Sequence, residues 1–148
     1  MQPLQITDER TLQEASAYLH DAVLQRGDIK HDQTAKTVTL DVWRELWEET
    51  TSERVLLIFH RWKAPHVRCR LRFEHVSACQ TEFTDELERY QINRLQFDPR
   101  NSEVRIVGVC CFEIKLVVDS LKGSVTDQGE RTTERFNKTT IGLTSFRK

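Results

Sequence analysis

The stretches Ile29-Lys30-His31-Asp32, resuming at Val38-Thr39-Leu40, and Leu95-Gln96-Phe97-Asp98, resuming at Val104-Arg105-Ile106, write one pattern twice. Each first segment ends on an aspartate, passes through five turn-like or polar residues, and continues as an alternating apolar strand. An aspartate at such a place bonds its own backbone and starts a turn. Alternation with period two marks a strand with one buried face. The repeat therefore predicts a meandering antiparallel β-protein, and it says nothing about chemistry.

Residues 7–19 read as a helix, with Thr7 or Asp8 as cap and Leu12, Ala15 and Leu19 at helical spacing. Strands are expected over 22–31, where Gly27 suggests a bulge or close backbone approach, and over 37–42, continuing through Trp43 and Trp47. The apolar run Val55-Leu56-Leu57-Ile58-Phe59 predicts a central strand over 54–62. Val67, Cys69, Leu71 and Phe73 then alternate with Arg68, Arg70 and Arg72. Apolar parity changes after Phe73 and again between Ile92 and Leu95, which places bulges near Glu74-His75 and Asn93-Arg94. Residues 103–107 and 111–118 pair as the last strands.

The expected fold is α+β: an N-terminal helix packed on a curved, mostly antiparallel sheet of about seven strands, forming a sandwich or half-barrel. The expected organisation is one domain over 1–126 and a polar C-terminal tail over 127–148, poorly ordered.

The chain has 148 residues and a formal net charge of −1, which removes any general electrostatic case for nucleic acid or an anionic membrane. No apolar leader follows Met1, and no run approaches membrane-spanning length. A cytoplasmic setting is expected. Cys69, Cys79, Cys110 and Cys111 read as buried free thiols, since neighbours in a strand do not easily form a disulfide.

No phosphate loop, nucleophile elbow, His-Glu-x-x-His or Cys-x-x-Cys occurs. His20-Asp21 sits at a helix end and His31-Asp32 opens a turn, both structural readings. His66 and His75 precede Cys69 and Cys79, so His20, Asp21, His66 and His75 are the weak metal candidates. A zinc site, however, needs four converging ligands, and a regular strand points neighbours apart. No cofactor is expected. The most site-like feature is the row Arg68, Arg70 and Arg72, projecting from a strand whose other face is core. Its alternatives are anion or partner binding, with Trp47 as an exposed anchor, and a solvated face answered by Glu113 or Glu103.

His20-Asp21-Ala22, Leu71-Arg72-Phe73-Glu74-His75-Val76 and Tyr90-Gln91-Ile92-Asn93-Arg94-Leu95 resemble a loose group of small, mostly uncharacterised bacterial β-rich proteins. Some of these resemble the immunity proteins of polymorphic toxin systems. The likeness spans residues 18–118, and Leu19 stands where the group often has an aromatic. It implies a non-enzymatic protein-binding module and carries over no catalytic residue. The other functional classes expected from the residues are a metal-dependent or small-molecule enzyme, and a nucleic-acid binder using the basic row.

Overall fold

Both repeated ribbons are hairpins in the computed structural model, which describes residues 3–45 and 66–132. β2 (Val23–Asp32) turns into β3 (Thr37–Glu45), and β6 (Tyr90–Asp98) turns into β7 (Glu103–Gly108). In the first turn Asp32 Oδ1 accepts the amides of Thr34 and Ala35, each at 3.0 Å. In the second, Asp98 accepts the Arg100 amide at 3.0 Å and the Asn101 side-chain amide at 2.8 Å. Four residues after each aspartate the chain takes a left-handed conformation, at Lys36 (φ 59°) and Ser102 (φ 51°). The carbonyls of these two residues accept the amides of Val76 and Val118, both at 2.9 Å. Val76 and Val118 are themselves register partners.

The other elements are β1 (Leu4–Ile6), α1 (Glu9–Tyr18), β4 (His66–Phe73), β5 (Val76–Phe83), β8 (Phe112–Val118) and β9 (Gly123–Thr132). Among the described residues nine strands form one sheet, in the order β1-β9-β4-β3-β2-β6-β7-β8-β5. Every described pairing is antiparallel. The order contains an exchange. β5 follows β4 in the chain but pairs with β8, while β9 follows β8 but pairs with β4. Each meander, β2-β3-β4 and β6-β7-β8, thus receives its fourth strand from the other. Among the described residues the two halves join in the sheet through the register pairs Val23↔Gln91 and Leu24↔Tyr90, with backbone bonds such as Val76 N–H to the Lys36 carbonyl beside them.

Asp8 caps α1: its carboxylate accepts the Thr11 amide at 2.9 Å, and Thr11 Oγ1 accepts the Asp8 amide at 3.0 Å. Leu12 and Ala15 on the helix, with Leu19 just beyond it, are fully buried in the core. The helix packs on β1 and β6, and Ser16 Oγ accepts the Leu95 amide at 2.9 Å. Among the described residues no helix is long and apolar enough to cross a membrane.

The antiparallel sheet and its short N-terminal helix agree with the sequence reading, but a strand, β1, precedes the helix, and among the described residues the sheet has nine strands rather than about seven and is not closed. The Asn93-Arg94 bulge is present as a register break between Ile92 and Arg94. Near Gly27 the β2–β3 register also breaks, between Leu24 and Ile29. Glu74-His75 is not a bulge within one long strand. His75 adopts φ 59°, so the chain turns there, ending β4 and starting β5. β9 runs to Thr132, which brings residues 127–132 into the sheet in place of the expected tail. The predicted strand over 54–62 and the anchor Trp47 lie outside the described residues, as do residues 133–148.

Candidate functional site

The arginine row lies on the outer face of β4. Antiparallel register sets Arg68 opposite Trp43, Arg70 opposite Asp41 and Arg72 opposite Thr39. Cross-strand partners share a face, so Asp41, though on an apolar strand, points toward the arginines. Arg70 grips it with two hydrogen bonds, Nε to Oδ1 at 2.9 Å and Nη2 to Oδ2 at 3.2 Å. Arg68 adds a third at 3.2 Å and approaches Asp28 at 3.9 Å. The Arg70 bond, supported by Arg68, holds the Asp41 carboxyl below its ordinary value of 3.8 despite its burial. The Arg68 guanidinium also stands 5.7 Å from the centre of the Trp43 ring.

This corrects one expectation. The row is not answered by Glu103 or Glu113. Those carboxylates sit by Arg105, at 3.0 and 3.9 Å, in the other half of the sheet. The partner of the row is Asp41, with Asp28 beside it. Arg72 is exposed and forms no ion pair among the described residues. The face therefore presents two fixed guanidinium groups, one loose one, and a half-buried indole.

The inner face carries a second polar cluster. Cys69 on β4 donates its thiol to Asp127 Oδ1 on β9 at 2.8 Å. Tyr18 at the end of α1 donates its hydroxyl to the same carboxylate at 3.3 Å. Arg44 on β3, 3 % exposed, lies 3.7 Å from Asp127 and stacks over the Tyr18 ring at 4.0 Å. Burial, then the Asp127 contact, pushes the Cys69 thiol up to about 12, and burial raises the Tyr18 hydroxyl as well. A thiol and phenol held protonated make poor nucleophiles, so the cluster reads as a buried tie between helix and sheet.

A groove of about 250 Å³ opens between β2 and β5, lined by Arg26, Ile29 and His31 on one side and Cys79, Thr81 and Phe83 on the other. Arg26 closes one end by lying 4.5 Å over the Phe83 ring. His31 Nε2 is buried there without a hydrogen-bond partner among the described residues.

The four metal candidates fall in three places, with His20 and Asp21 side by side. His20 sets Nδ1 on the Asn93 carbonyl at 2.9 Å, with Nε2 3.6 Å from Asp21. Asp21 takes φ 69° as the chain leaves the helix, and its amide bonds the Ile92 carbonyl at 2.8 Å. His66 is buried at the start of β4, and His75 is exposed in the β4–β5 turn. No group of three or more metal-binding side chains forms among the described residues.

The cysteines depart from the expected buried quartet. Cys69 is buried and Cys79 half-buried, both free. Cys110 and Cys111 occupy the β7–β8 turn instead of a strand, where Cys110 is exposed and the two are joined as a disulfide. Cys111 has φ 78°, a turn conformation that frees it from strand alternation.

Fold and face together define a single-sheet antiparallel α+β protein with a guanidinium-rich outer surface. The chain belongs to the family described as "Protein of unknown function (DUF2948)", whose model matches residues 3–139. No curated protein and no solved structure matches it.

Proposed function

We propose that the outer face of β3 and β4 binds another protein, with Arg70, Arg72 and Trp43 as its contact residues. The observation that carries this reading is the bidentate Asp41–Arg70 lock. It fixes a guanidinium group on the strand surface before any partner arrives, so less side-chain freedom is lost on binding. Arginine and tryptophan are also the residue types that dominate binding energy at protein interfaces. The immunity-like role suggested by the strand motifs is the specific form of this proposal: a folded module covering a partner's acidic surface without chemistry of its own. A cytosolic setting belongs to the same proposal.

The other two classes have less behind them. A metal or acid–base enzyme would draw on His20, Asp21, His66 and His75, of which only His20 and Asp21 adjoin, and no group of three or more such side chains forms among the described residues. A nucleic-acid surface would depend on the summed positive charge of the row, which Asp28 and Asp41 largely offset.

The test is site-specific photo-cross-linking in the source cells. A photoreactive residue replacing Arg72 is compared with one replacing Lys115 on β8. The proposal expects one discrete protein adduct at 72 and none of that mass at 115. Equal labelling from both positions, or no adduct at 72, overturns it.

A further inference from the structure

We propose that Cys110 and Cys111 form a thiol–disulfide exchange site that takes low-molecular-weight disulfides of the glutathione type. Three observations converge. The β7–β8 turn projects into solvent: Cys110 is exposed, and its neighbour Val109 is 55 % exposed. The left-handed backbone at Cys111 brings two adjacent side chains together, which a strand would point apart. The Cys111 sulfur also lies 3.5 Å from Asp85 Oδ2, so a carboxylate stands beside the pair. In the dithiol state that carboxylate can accept the Cys111 thiol proton, whereas the disulfide has no proton to give.

The exposed sulfur is the attacking one. The Cys110 thiolate attacks one sulfur of the small disulfide. That S–S bond breaks, one small thiolate leaves, and Cys110 carries a mixed disulfide. Cys111 then releases its proton to solvent, and its thiolate attacks the Cys110 sulfur. The second small thiolate leaves and takes up a proton. Two protein thiols are oxidised and one small disulfide is reduced to two thiols. Cys69 and Cys79 stay outside the reaction, because burial holds both thiols up.

The test incubates the full chain, first reduced, with glutathione disulfide, then alkylates free thiols and maps them by mass spectrometry. In the wild type, Cys110 and Cys111 should lose alkylation together and retain no glutathione, and dithiothreitol should restore both. In C111S, Cys110 should instead keep a glutathione adduct, because the resolving thiol is gone. A wild-type protein that retains the adduct as C111S does, or whose Cys110 and Cys111 stay alkylatable throughout, refutes the site.

Discussion

Asp41 on β3 and Arg70 on β4 face each other across the ladder and are joined by hydrogen bonds of 2.9 and 3.2 Å. The pair puts a nearly buried carboxylate under an arginine that is 48 % exposed, so one end anchors while the other stays available. Replacing Asp41 with alanine leaves Arg68 and Arg70 without their shared acceptor. Loss of a hydrogen-bonded charge in this setting costs about 1–3 kcal/mol, read as a lower denaturation midpoint.

The same carboxylate gives the protein a pH dependence. Its folded value lies below the ordinary 3.8, so its contribution is complete above that value and disappears as pH falls through the depressed one. Asp41→Asn should therefore flatten the acid limb of a stability–pH curve measured below about pH 4. Parallel wild-type and variant curves through that range would count against the lock.

The close approach of β9 to β4 makes a sharper claim at Gly123. A Cβ there would stand 2.5 Å from the Arg72 carbonyl and 2.9 Å from the Phe73 ring, and a sheet carbonyl has nowhere to go. Gly123→Ala should destabilise by about 1–3 kcal/mol, the usual cost of overpacking. Gly108→Ala should do likewise by driving into the Phe112 ring. Gly27→Ala is the control: nothing lies within 4 Å, so thermal unfolding should change little or improve slightly.

Lys36 and Ser102 occupy matching left-handed positions in the two turns. Glycine there removes a steric penalty of roughly 1 kcal/mol per residue. Lys36→Gly and Ser102→Gly should each raise the urea midpoint, by similar amounts because the turns are built alike. A rise at one site and a fall at the other would mean that the turns differ in energy despite their common geometry.

What the sequence carried was local. Asp32 and Asp98 announce their turns because the bonds they make span two or three residues, and the Asn93-Arg94 bulge announces itself as a parity slip. The strand exchange was not legible, because pairing β5 with β8 and β9 with β4 is decided by contacts distant along the chain. β9 was invisible for a related reason. Its inward residues include Asp127, whose partners Cys69, Tyr18 and Arg44 come from three other elements, so the alternation is broken by a half-buried polar group. The arginine row was found by its spacing, but Asp41 was not found as its partner, since register between β3 and β4 crosses residues 46–65. Cys110 and Cys111 were misplaced because the apolar flanks, Val109 and Phe112, disguise a turn as a strand.

Cys69 should be chemically silent in the native protein. Its thiol is raised to about 12 by burial and by Asp127, so almost none is thiolate at neutral pH. Iodoacetamide at about pH 8 should label it only after denaturation. Rapid native labelling would mean that the inner polar cluster opens to solvent.

The most direct measurement of the proposed role is the affinity of Arg72→Glu for the protein cross-linked at position 72. Arg72 makes no ion pair among the described residues, so the fold should be untouched and its unfolding midpoint should match wild type. Titration should show binding weakened by about tenfold or more, the scale expected of an interface arginine. Wild-type affinity in a folded Arg72→Glu protein would contradict the assignment of this face as the binding surface.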